Sequence, residues 1–84
     1  MHDYDPMLYD IMRETANRLA GEFIYLSRQA QNPIEKQAFL EANYGVMQET
    51  NTVDISSKEA VEAKTREFAQ RLKHIENVQN KVEA

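Results

Sequence analysis

The side chains able to do chemistry here are carboxylates, three serines and two histidines, with no cysteine. Without thiols there can be no disulfide, thiolate metal site or cysteine nucleophile. No carboxylate sits in an apolar run that would lift its pKa toward the working range of a general acid. Ser27, Ser56 and Ser57 lack the strand-turn-helix context of a nucleophile elbow. His2 stands alone, and His74 lies two residues from Glu76, a spacing that turns the two side chains to different sides of a helix and makes a poor metal claw. The sequence therefore predicts a chain that is not an enzyme and takes no metal or cofactor. An enzyme would require an oligomer whose copies pool residues.

Chemistry of recognition is better represented. Arg66, Gln70, Lys73, Asn77 and Lys81 share one face of a predicted helix and could contact phosphates and base edges. Glu62, Glu67 and Glu76 border that face, and the chain carries a net charge of -4 with a pI near 5.1, opposite to the usual footprint of a nucleic-acid binder. DNA binding is thus the disfavoured alternative. The acidity sits in two blocks, residues 1–12 and 32–55, each summing to -3. Within the first, His2-Asp3-Tyr4-Asp5 together with Tyr9 reads as an acidic aromatic segment suited to a basic partner protein. The plainer reading is that Asp5 caps a helix, Asp10 complements its dipole and Asp3 is solvated.

Helices must position these groups. Two prolines and two glycines in 84 residues are too few turn formers for a sandwich or barrel, and one small domain, 1–84, is all that this length supports. After an arm at 1–5, helix 1 is expected over 6–31. Leu8, Met12, Thr15, Leu19, Phe23, Leu26 and Ala30 make its continuous face, and Ala16, Ala20 and Gly21 offer a crossing point for another helix. Asn32-Pro33-Ile34-Glu35 is a capping box opening helix 2, and Ser56-Ser57-Lys58-Glu59 repeats the box before helix 3. Helix 3, over 57–83, carries a heptad seam of Val61, Thr65, Phe68, Leu72, Ile75, Gln79 and Val82 that weakens after Ile75.

Helix 2, over 33–48, has no single stripe. Phe39, Ala42 and Val46 face one way while Leu40, Tyr44 and Met47 face another, so its apolar arc exceeds half the circumference and calls for two partners. A loop is expected over 49–55; Gly45 leaves open whether helix 2 continues into it or Val46 to Ile55 forms a loop or short hairpin. The expected fold is all-α, a small three-helix bundle with two long helices and one short central helix, completed by dimerisation if the second face of helix 2 needs another copy. Its core would hold Leu8, Met12, Leu19, Phe23, Leu26, Phe39, Val46, Val61, Phe68, Leu72 and Ile75. No apolar run is long enough to cross a bilayer and the N-terminus is acidic, so a cytoplasmic location is expected.

Ser27-Arg28-Gln29-Ala30-Gln31-Asn32 resembles the Ser/Thr-x-x-x-Glu-Gly/Asn inhibitory motif of the small helical antitoxins that restrain Fic-type adenylylating toxins. Gln31 stands where that motif has a glutamate, so no residue role is carried over. The expected function is a non-catalytic protein-protein interaction module, self-associating or a small regulator of antitoxin, immunity or adaptor type. Its partner-binding residues would be Tyr4, Tyr9, Ile24, Leu40, Tyr44 and Met47, with no membrane partner.

Overall fold

The computed structural model describes residues 5–83, with side-chain surroundings as far as Val78. Three helices follow in order, α1 (Met7–Gln29), α2 (Pro33–Thr52) and α3 (Lys58–Glu83), and no strand occurs among the described residues. Short connections make consecutive helices run antiparallel. One end of the molecule therefore holds the start of α1 and the α2–α3 connection, and the other holds the α1–α2 connection and the end of α3. Helix α1 packs against both of the others, which meet each other far less.

Each helix start has a local cause. The Asp5 carboxylate accepts the Met7 N–H at 2.9 Å, and Pro6 already has helical backbone angles. Asn32 Oδ1 accepts the Glu35 N–H at 2.8 Å, while Glu35 returns to the Asn32 side-chain amide at 3.3 Å instead of the expected backbone N–H. The third cap is Ser57, whose Oγ accepts the Ala60 N–H at 3.1 Å, and not Ser56. Ser56 is held by Asp54, which accepts both its N–H at 3.0 Å and its hydroxyl at 2.6 Å.

Helix α2 is not short. It runs 20 residues against 23 for α1 and 26 for α3, and ends at Thr52 instead of residue 48. Gly45 keeps a negative φ inside the helix. The threonines read as loop formers bond backward along the helix: Thr50 donates to the Val46 carbonyl at 2.8 Å and Thr52 to the Glu49 carbonyl at 2.9 Å. The loop accordingly shrinks to residues 53–57, and α1 stops at Gln29 instead of 31.

Met12, Leu19, Val46, Val61 and Phe68 are fully buried, joined by Ala16, Ala20 and Leu72. Burying each large side chain contributes about 1.5–3 kcal/mol. Of the three small residues expected at a helix crossing, Ala16 and Ala20 are buried, but a Cβ added at Gly21 would meet nothing within 4 Å, so Gly21 takes no part in it. Leu8, Phe23 and Ile75 are only partly buried against this core, and Leu26 and Phe39 are half-buried outside it. Buried Ser27 donates its hydroxyl to the Ile24 carbonyl at 2.6 Å and so leaves no unpaired donor inside.

The molecule measures 47 × 26 × 14 Å, and its radius of gyration of 14.5 Å exceeds the about 12 Å of a compact chain of this length. Its accessible surface, 6275 Å², is about 1,100 Å² above that of a typical folded monomer of 9.8 kDa.

Candidate interaction surface

An ion-pair cluster centred on Glu49 joins α2 to α3. Arg71 Nη1 lies 3.2 and 3.0 Å from the two Glu49 carboxylate oxygens, and Lys64 Nζ lies 3.3 Å from Oε1. Glu67 completes the cluster, 3.2 Å from Lys64 and 3.8 Å from Arg71. Both cations also lie over the Phe68 ring, at 5.6 and 5.8 Å from its centre, so they cover that ring as they reach for α2. Burial alone would raise the Glu49 carboxyl, but the hydrogen bonds and charge of Arg71, followed by those of Lys64, outweigh it and hold the pKa below the ordinary value. Burial would lower Lys64, yet its bonds to Glu67 and Glu49 and their charges raise it. The hydroxyl and N–H of Ser56 lower the exposed Asp54.

With Val46 and Glu49 turned toward the other helices, helical periodicity turns Leu40, Tyr44 and Met47 away from them. Val46 is fully buried, whereas Tyr44 is 68% and Met47 56% exposed, and Leu40 is half-buried. Met47 borders a shallow groove against α1 together with Arg13, Ala16 and Asn17. Ile24 lies two turns beyond Asn17 on that same side of α1 and is also exposed. Four of the six residues expected to meet a partner thus lie on one side of the α1–α2 pair. Tyr9 does not join them; it is half-buried against the core, with the Arg13 guanidinium 5.9 Å from its ring centre. Tyr4 lies outside the described residues.

Two neighbours of this surface were not among the expected contacts. Ile34 is 84% exposed in the first turn of α2, and Gln37 and Glu41 line a shallow depression beside it. Asn51 extends the spacing of Leu40, Tyr44 and Met47 by one further step of four. Asn51 is legible only when α2 is read to its full length, whereas Ile34 already lies within the expected span of 33–48.

The alternative face on α3 is also accessible. Arg66, Gln70, Lys73 and Asn77 are exposed, and neither Arg66 nor Lys73 has an ion-pair partner among the described residues. Its acidic border includes Glu76, which lies 4.0 Å from Arg18 of α1. The antitoxin-like segment is divided by the fold, Ser27 buried in α1 and Gln31 exposed in the connection. Among the described residues no group of three metal-ligating side chains converges, and no helix is long and apolar enough to cross a membrane. Compared with protein-family models, with curated proteins and with solved structures, the chain finds no match.

Proposed function

We propose that this chain is a non-catalytic protein-protein interaction module whose docking face is the outward side of α2. The observation that carries this reading is the exposure of Tyr44 and Met47 on a helix whose other side is sealed. Apolar side chains at helical spacing, placed on a rigid element, are what a helix-to-helix contact uses. Self-association and a small regulator of antitoxin, immunity or adaptor type are both forms of this activity. The test is chemical cross-linking in the cells that make the protein. The native chain should run in a species heavier than its own 9.8 kDa, and Tyr44→Glu with Met47→Glu should remove that species. Recovery of the native chain and the double variant alike at the mass of one chain overturns the reading.

Exposed Arg66 and Lys73, neither with an ion-pair partner among the described residues, favour a second reading, DNA binding through α3. It requires salt-dependent retention on duplex DNA that Arg66→Ala with Lys73→Ala abolishes; retention unchanged in the double variant removes it.

A further inference from the structure

Resting on the reading of α2 as a docking face, we infer that its occupant is a second copy of this chain, with the two α2 helices side by side and parallel across a two-fold axis. Gln37, Leu40, Tyr44, Met47 and Asn51 follow one another at steps of three and four, the seam of a short coiled coil. Leu40 is half-buried and the other four are exposed. The stripe lies across α2 from Val46 and Glu49; Met47 and Asn51 border the groove against α1, so a partner helix meets α2 alone over Gln37, Leu40 and Tyr44 and passes beside α1 at the other two.

Charge selects the occupant. Beside the seam run Lys36, Asn43 and Thr50 on one flank and Ile34, Glu41 and Gln48 on the other, so the stripe and its borders carry one charge of each sign. Neither Lys36 nor Glu41 has an ion-pair partner among the described residues; Glu41 accepts only a long bond from Gln37, at 3.5 Å. In a parallel pair each flanking residue meets the one five positions on in the other copy, which brings Lys36 to Glu41 twice and Asn43 to Gln48 twice. In an antiparallel pair each flank meets its own kind, leaving Lys36 near Thr50 and Glu41 near Gln48 with no attraction. A strongly basic or acidic partner would match one of the two charges and oppose the other. At the seam ends Gln37 and Asn51 each meet their own kind, which amides can do because they donate and accept.

Sedimentation equilibrium of the purified full chain over the micromolar range should give twice 9.8 kDa. Tyr44→Glu with Met47→Glu should give one chain mass with helical circular dichroism unchanged. Lys36→Glu and Glu41→Lys should each weaken the dimer roughly tenfold, because two attractions become two repulsions, and the double exchange should restore it. Asn51→Cys, in a chain that has no other thiol, should form a dimer-linking disulfide; in an antiparallel pair the two thiols would be displaced by about 20 Å. A purified chain that stays monomeric overturns the second copy. If that chain still enters a heavier complex in cells, the docking face stands with another occupant; if it does not, both readings fall. A dimer indifferent to the charge exchanges, or an uncrosslinked Asn51→Cys dimer, overturns the parallel arrangement.

Discussion

The two ends of this molecule are built from the same helices and end differently. Where α1 begins and α2 passes to α3, Met12, Val46 and Val61 are fully buried and Val53 packs against them. At the other end every residue from Gln31 to Ala38 is exposed, Phe23 and Ile75 are only half-covered and Val78 is open. Local propensity does not separate them, since both ends have capped helices. The difference is supply: after Ile75 the α3 seam offers little that is apolar, and the first turns of α2 hold one large apolar side chain, Ile34, which is exposed. Helices form wherever caps and backbone bonds permit, but a core forms only where three faces contribute at one level.

The sharpest way to break this contrast is at the sealed side. Phe68→Ala should cost about 3–5 kcal/mol in urea unfolding, since it empties a fully buried site beneath Lys64 and Arg71. A loss below 1 kcal/mol would mean that the core is not where the burial places it. Asn32→Ala, at the open end, should cost about 1 kcal/mol. Amide exchange should locate that loss in the first turns of α2, leaving Val46 protected; equal loss at both ends would show them coupled.

Gains are expected too. Gly21→Ala and Gly45→Ala should each stabilise by about 0.5–1 kcal/mol, because both glycines are helical with open space where a Cβ would stand. A fall in thermal midpoint at either would contradict the helical backbone there. The Glu49 cluster should contribute less than about 1 kcal/mol, screened by salt, because its members are partly exposed. Its sign with pH follows from the shifts. Glu49 is depressed from 4.5, so its share is present above that value and lost as pH falls through the lower folded one; Lys64 is raised from 10.5, so its share is present below that value and lost in stronger alkali. Glu49→Gln should flatten the acid limb of thermal midpoint against pH, and an unchanged limb would remove the cluster from the balance. Smallest of all, Tyr44→Ser should change the stability of the isolated chain by under about 0.5 kcal/mol. A larger loss in dilute protein would place Tyr44 inside the monomer.

Much of this contrast is written in the sequence. Asn32-Pro33 opens α2 because an extended cap and a fixed φ agree, and the spacing of Met12 with Leu19 and of Phe68 with Leu72 marks faces that become core. What stays hidden depends on partners distant along the chain. Leu26 and Phe39 have the periodicity of core residues, but they sit where too few other helices converge. Ala16 and Ala20 are buried because they are small, a signal that hydrophobic spacing undervalues. Gly45 and Thr50 read equally as breakers or as helix, and the bond from Thr50 to the Val46 carbonyl appears only once the backbone has chosen. For the docking face, the division between Val46 and its neighbours Tyr44 and Met47 is visible as a second stripe, whereas Tyr9 is drawn inward by core contacts that no local pattern announces.

The exposed tip formed by the α1–α2 connection and the first turns of α2 makes a natural attachment point. Its backbone bonds are backed by no sealed side chain from Gln31 to Ala38, so opening there need not disturb the packing around Val46. Limited digestion should nick the chain there first, and a short epitope or fluorophore grafted into the Ala30–Asn32 connection should be carried without loss of fold.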